Sequence, residues 1–373
     1  MTQNLLPGYR MSDCEMETTR AIMLTGFGGY DKLKIQNIPR TPAEEDHIVV
    51  EIKACGVNFS DIYVRQGIYT YKGIKPPFVL GTEASGIVSE IGPNVTEFKI
   101  GDRVLCWNYG YGMWAESVQI HKSQCYPMPS NMTFAEANGI VNNYITAYLV
   151  LMDFGNLRPG KSVLIQAAAG GVGWAATQIA RSVGNVTIFG TASSSKHQLI
   201  KENGVTHAID YQNSDFVDEV LKIAPYGVDI ILDCLSGNDF VRAQKCLKNM
   251  GRIVHIGISS MISGEKKNIL RALKVWWQTK NVSIVDVITK NHAVCGLSIN
   301  NLFETDPDMF RATLDKVMNL YEEGKIKPRI DSIWSFDEVI EATKCMVERK
   351  NIGKIVLVPK KEDNLSKVEL YQN

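Results

Sequence analysis

The run SVLIQAAAGGVGWAATQIA, residues 162–180, admits few folds. An apolar, β-branched stretch ends in a turn almost without side chains, Ala168-x-Gly170-x-x-Gly173, and passes at once into helix-forming sequence. A strand with no polar alternation is one buried on both faces, so it belongs in a parallel sheet covered by helices. The small residues of the turn then have a use. Without a β-carbon at Gly170 the backbone can approach a pyrophosphate, and Gly173 lets the helix pack closely on the strand. The phosphates would lie on free N–H groups of Gly171, Val172 and Gly173 at the helix N-terminus, where the helix dipole favours negative charge.

A glycine turn alone also fits an ordinary tight strand-to-helix connection, so its surroundings decide. Between about Asn143 and Lys325 strands alternate with helices: SVLIQAA, VTIFGTA, HAIDY, VDIILDCLS, GRIVHIG and AVCGLSI are the strands. The helices include GWAATQIARSV, SKHQLIKENG with Gly204 as its stop, SDFVDEVLKIA with Ser214 as N-cap, and NDFVRAQKCLKNMG. Six strands with crossover helices match a doubly wound dinucleotide domain. The preceding residues differ in texture: AIMLTGFG, HIVVEIKACGV, FVLGTEASGIVSEIG and GDRVLCW read as short strands broken by Gly and Pro. The expected division is a tail 1–19, a β-rich domain 20–142, a dinucleotide domain 143–326, a strand–helix–strand segment 327–360 and a charged tail 361–373.

Length and charge agree with two domains of an α/β protein. At 373 residues the chain exceeds one compact core, and its 40 basic and 40 acidic residues balance. That balance gives no basic field for nucleic acid. No window is apolar for the length of a membrane span and the N-terminus lacks a secretory pattern, so the expected location is the cytoplasm. Eight scattered cysteines without a C-x-x-C pair read as reduced thiols.

The cofactor follows from the end of the second strand, where an acidic residue would bind the ribose of NAD. The chain has GTASSSKH there. No carboxylate repels a 2′-phosphate, and Ser193 with Lys196 offers a hydroxyl and a cation to hold one, which points to NADPH. The same serines also suit the cap of the next helix, with Lys196 solvated.

The β-rich first domain and the glycine turn together resemble the medium-chain dehydrogenase/reductase superfamily, which joins a GroES-like catalytic domain to a Rossmann domain. In its zinc enzymes a cysteine lies three residues before an aspartate, and a histidine sits in a G-H-E triplet. This chain reads ACGVNFSDIY and GTEASGIV, so Asn58 and Thr82 match those ligands. Neither suits zinc, and no metal is expected. The segments ACGVNFSD, PFVLGTEASGIV, AAAGGVG and VTHAIDY resemble the zinc-free quinone oxidoreductases. Two longer ones, residues 274–302 and 326–359, resemble the vesicle amine transport protein branch of that group. The resemblance implies that Asn58 and Tyr63 line the nicotinamide pocket, with Thr146 near the nicotinamide amide. It also implies that Lys196 and Tyr211 grip the 2′-phosphate, and that Gly257, Ile258 and Ser259 form the loop after the fifth strand. Homodimers paired through the AVCGLSI edge strand follow from it too, as does peripheral contact with vesicle or mitochondrial outer membranes.

Without zinc to polarise a ketone, substrates that spread the incoming charge fit best: quinones and α,β-unsaturated carbonyls. Asn58 and Tyr63 would meet cofactor or substrate, with Asp61 ordering them. Each has a plain reading as well: Asp61 as cap of a helix beginning at Ile62, Tyr63 as a core aromatic, Asn58 in a turn. The single histidines read as structural. One segment fits a plain enzyme poorly. GEKKNILRALKVWWQTK, from Gly264 to Lys280, would place Ile269, Leu273, Trp276 and Trp277 on one face of a helix among Lys266, Lys267, Arg271, Lys274 and Lys280. Such an element lies on a membrane surface or packs as a cap beside the cofactor cleft. A membrane-associated protein that binds NADPH with little turnover is the competing reading.

Overall fold

The computed structural model describes residues 17–360. Tails 1–16 and 361–373 lie outside them, and the first strand already begins at Thr18. Eight strands precede the alternating region: β1 Thr18–Leu24, β2 Leu33–Pro39, β3 His47–Val57, β4 Phe78–Val79, β5 Glu83–Ile91, β6 Arg103–Trp107, β7 Ser117–His121 and β8 Cys125–Pro127. Six follow in the alternating region: β9 Ser162–Ile165, β10 Thr187–Ala192, β11 His207–Asp210, β12 Val228–Asp233, β13 Leu247–His255 and β14 Ala293–Gly296. Two more, β15 Ile330–Ser335 and β16 Lys354–Val358, close the described chain.

The six alternating strands form one parallel sheet in the order β11-β10-β9-β12-β13-β14. Helices cover both faces, which is why Val163, Leu164 and Ile165 are all buried instead of every second one. The order reverses between β9 and β12, and there a crevice opens at the carboxyl ends of the strands. β14 stands at the edge of this sheet.

Of the other strands, β1, β2 and β4 form a small antiparallel sheet in the order β2-β1-β4; the rest form a second sheet, antiparallel but for one parallel pair, β15 on β16, in the order β15-β16-β3-β5-β6-β8, while β7 also pairs β3. Solvent-facing strands there alternate as their two sides demand: in SVQIH, Val118 and Ile120 are buried and their neighbours less so. β16 pairs antiparallel with β3, so the last strand of the described chain is part of the first domain's sheet.

A helical run, residues 134–154, joins the two sheets, with π-helical stretches at Ile140–Ile145 and Leu149–Phe154. Thr133 and Glu136 cap its start reciprocally at 3.0 and 3.1 Å. The run continues through the expected boundary at 142.

Three local expectations need correction. Asp215, not Ser214, caps the helix Phe216–Ile223, accepting from the Val217 N–H at 2.8 Å; the Ser214 hydroxyl turns back to the Asp210 carbonyl. The helix expected over NDFVRAQKCLKNMG ends at Ala243, because Leu247–His255 is drawn into the sheet beside β12. The helix expected to begin at Ile62 begins at Phe59, with Asn58 at its N-cap and Asp61 inside its first turn.

Candidate functional site

The crevice at the strand-order reversal is a cavity of about 580 Å³ between the two sheets. Its wall takes residues from just beyond the carboxyl ends of the parallel strands: Ala167 and Gly170 after β9, Ser193 after β10, Cys234 after β12, Gly257 after β13 and Ser298 after the edge strand β14. From the first domain come Asn58 and Tyr63, and from the helical run Asn143 and Thr146.

The glycine turn is built for close approach. Ala167 sits in the left-handed region, φ 52°, held by the Thr191 hydroxyl on its N–H and by the Gly170 N–H on its carbonyl. A β-carbon on Gly173 would stand 2.4 Å from the Ala167 carbonyl oxygen, so the helix Gly171–Val183 could not seat. One on Gly171 would meet the Asn143 amide at 2.5 Å. Gly170, Gly171, Val172 and Gly173 all line the cavity, and the turn offers a phosphate-sized anion backbone and no bulk. Ala168 does not: it is wholly buried and packs toward Gly190 on β10.

At one end of the cavity stand Ser193, Lys196 and Tyr211. The Lys196 ammonium donates to the carbonyls of Arg349 and Asn351 at 2.6 and 2.8 Å, and burial lowers its pKa. Those carbonyls belong to a strap, residues 349–354, that also donates its Gly353 N–H to the Ala169 carbonyl at 2.9 Å. The strap therefore crosses the glycine turn and ends at Lys354, the first residue of β16.

At the other end three strands converge. β3 lies between β16 and β5, with Ile355 opposite Val57 and Ala84 opposite Cys55. That register brings Asn58, Lys354 and Glu83 together. The Lys354 ammonium bonds the Glu83 carboxylate and donates to the Asn58 side-chain oxygen at 2.6 Å; the Asn58 amide donates to Glu83 at 2.9 Å. A β-carbon on Gly56 would meet the Glu83 carboxylate at 2.2 Å, so only glycine leaves room for it. All three side chains are buried, and removing one member of such an ion pair costs about 3–5 kcal/mol. Asn58 and Lys354 line the cavity; Glu83 and Asp61 stand behind them.

Asp61 acts from behind the wall. Its carboxylate accepts the Asn58 backbone N–H at 2.7 Å, and burial pushes its pKa up to about 7 against the pull of that bond and of Lys354. Tyr63 faces the cavity, where burial and Cys234 push its hydroxyl up while a hydrogen bond from the Ile258 backbone draws it down. Ile258 thus meets Tyr63, whereas Gly257 and Ser259 form the cavity wall; Ser259 donates to the Cys234 carbonyl at 2.8 Å.

Two models of known families match the chain: "Alcohol dehydrogenase GroES-like domain" over residues 44–130 and "Zinc-binding dehydrogenase" over 203–357. The synaptic vesicle membrane protein VAT-1 homolog of Mus musculus is 47% identical over 343 residues, covering 91% of this chain and 84% of that protein. The chain belongs to the medium-chain dehydrogenase/reductase superfamily, in its VAT-1 branch. A quinone oxidoreductase-like protein 2 homolog of Nematostella vectensis is 32% identical, covering 91% of this chain and 88% of its own. Among solved structures, the human VAT-1 homolog-like protein is 36% identical, with a TM-score of 0.80 over 92% of this chain and 99% of that one. Escherichia coli quinone oxidoreductase complexed with NADPH is 26% identical, with a TM-score of 0.79 over 91% and 100%.

The residues that the sequence resemblance matches to zinc ligands are Asn58, engaged with Glu83 and Lys354, and Thr82, buried with its hydroxyl unpartnered. Among the described residues no three His, Cys, Asp or Glu side chains gather as metal ligands. Sequence reasoning passed over Glu83 and Lys354. Their one signal was a charged residue at the start of an otherwise apolar strand, EASGIV and KIVLV. His255, read from the sequence as structural, bonds the wholly buried Asp233 through its ring at 2.5 Å, and the buried Cys106 sulfur lies 4.0 Å from that of Cys125 across β6 and β8.

Proposed function

We propose that the protein is a zinc-independent, NADPH-dependent reductase that passes hydride to quinones or α,β-unsaturated carbonyls. The observation that carries this is the form of the cavity: one continuous cleft runs from Ser193, Lys196 and Tyr211, past the glycine turn, to Asn58 and Tyr63. A dinucleotide fits that path. Lys196 and Tyr211 hold the 2′-phosphate, the N–H groups of Gly171 to Gly173 the pyrophosphate, and Thr146 the nicotinamide amide. When bound, the reduced cofactor supplies the hydride.

The chain's residues then position and polarise. Asn58, fixed by two partners, donates its remaining amide hydrogen toward the cofactor or the substrate oxygen, and Tyr63 packs on the substrate with its hydroxyl at hand. Asp61 holds the Asn58 backbone. Closing such a site against water strengthens these contacts. Replacing Asn58 by Ala and Tyr63 by Phe together should lower turnover about 100-fold or more with NADPH affinity little changed. Unaltered turnover would remove both from the mechanism.

A second reading has its own observation. On the helix Ile269–Thr279 only Val275 is buried, while Leu270 is 81% and Trp277 67% exposed. The next helix, Ile284–Thr289, exposes Ile284, Val285 and Ile288 as well. No helix among the described residues is long and apolar enough to cross a membrane. This outward apolar face, beside Lys266, Lys267, Lys274 and Lys280, suits peripheral attachment to the kind of membrane the relatives are named for, with Arg271 reaching the cavity wall. A homodimer paired through β14 belongs to the same reading, since an open strand edge is otherwise unprotected.

A further inference from the structure

We infer that Lys354 is the cation of an oxyanion site: its ammonium, backed by Glu83, receives the substrate oxygen that gains charge when hydride is delivered. The inference rests on the proposed reductase reading and names a residue that the reading lacks.

The argument is one of layering. Lys354 and Asn58 reach the cavity wall, and the carboxylates of Glu83 and Asp61 lie behind them. The buried ion pair therefore presents its positive end to the cavity. An ammonium carries three N–H donors. Two are taken, by Glu83 and by the Asn58 oxygen, and the third has no partner among the described residues. Glu83 accepts from both Lys354 and the Asn58 amide, so both donors are held in place before any substrate arrives.

Of the other four cations of the wall, Arg349 lies on the strap, where its carbonyl accepts from the Lys196 ammonium, and three are engaged elsewhere. Lys196 holds the strap carbonyls, Arg242 lies between Asp215 and Asp239, and Arg271 donates to the Ser260 carbonyl at 2.6 Å. A buried ion pair is weak evidence for stability, because apolar residues of similar volume serve as well. Charge held at the reacting end of a cavity has a use that packing does not supply: preorganised donors aimed at developing charge speed a reaction without reorganising.

The chemistry balances with one hydride and one proton. Hydride forms a C–H bond at the β-carbon of an enone, the C=C electron pair moves to give an enolate, and its oxygen rests on Lys354 and Asn58. Protonation at the α-carbon from water then yields the saturated ketone. For a quinone the oxygen becomes that of a hydroquinone anion. NADPH is oxidised and the carbonyl compound reduced.

The test compares wild type with Lys354→Met/Glu83→Gln, which removes both charges and leaves no unpaired buried ion, so that folding survives. Full-length protein saturated with NADP⁺ is titrated with 4-nitrophenol, whose phenolate absorbs visible light. An ammonium at the oxyanion position lowers the bound phenol's pKa by about one unit or more in wild type, and the double variant loses that shift. In turnover the double variant should fall about 100-fold in kcat with KM for NADPH unchanged. Wild type that leaves nitrophenol unbound or unshifted, or a double variant that matches wild type in both readouts, overturns the inference. Wild type that shifts nitrophenol but oxidises no NADPH with any quinone or enone defeats the reductase reading and leaves the cation site standing.

Discussion

At one end of the cleft Asn58, Glu83 and Lys354 are buried and bonded to one another; at the other, Tyr211 stands 40% exposed and Lys196 is fixed by two carbonyl oxygens. The strap 349–354 touches both. The contrast separates two tasks. A buried, fully directed set of donors loses nothing to reorganisation and suits a reacting centre. A half-exposed ammonium held by neutral carbonyls keeps its charge unpaired, which suits recognition of a phosphate.

Changing each end in turn sharpens that contrast. Lys196→Ala should weaken NADPH binding about 10- to 100-fold, the worth of a charge-assisted hydrogen bond, while leaving NADH affinity and kcat nearly unchanged. Equal losses for both cofactors, read by fluorescence titration, would place Lys196 in the strap's packing instead of on a phosphate.

Asp61→Asn probes the buried end through pH. Asp61 has a folded pKa near 7 against 3.8 ordinarily, so between those values the folded state holds its proton more tightly than the unfolded chain. Stability contributed this way is complete below the unfolded pKa and is lost as pH rises toward 7. The variant, which can still accept the Asn58 N–H, should flatten that decline in melting temperature. A decline as steep as in wild type would mean that Asp61 is already ionised at low pH.

The smallest effect is expected away from the cleft. Trp276→Ser with Trp277→Ser removes exposed rings, so stability should change by about 0.5 kcal/mol or less and turnover not at all. Co-sedimentation with anionic liposomes should nevertheless be lost. Liposome binding that survives the change would deny the helix Ile269–Thr279 its outward role.

The strand–helix alternation was legible because periodicity follows from burial: doubly covered strands are continuously apolar and leave their mark on SVLI and VDIILD. Boundaries were less so. The capping of Phe216–Ile223 by Asp215, one residue after Ser214, is settled by local geometry, and the sheet claims Leu247–His255 from what local propensity reads as helix. Of the cavity lining, the glycine turn, Asn58, Tyr63, Lys196 and Tyr211 could be named from the sequence because each sits in a motif. Glu83 and Lys354 are 271 residues apart in the chain and meet only through the β16-β3-β5 register, which no local pattern records. The outward turn of Trp277 depends on which face of its helix Val275 buries, which periodicity leaves undecided between core and membrane.

The central claim, hydride transfer in this cleft, is tested most directly by following a label. Full-length protein is given NADPH deuterated at the transferring C4 position and an α,β-unsaturated ketone, and the product is read by mass spectrometry and NMR. One deuterium at the β-carbon of the saturated ketone, with one NADPH oxidised for each, is the result this account predicts. NADPH that binds tightly and stays unoxidised, with enone or quinone alike, would contradict it.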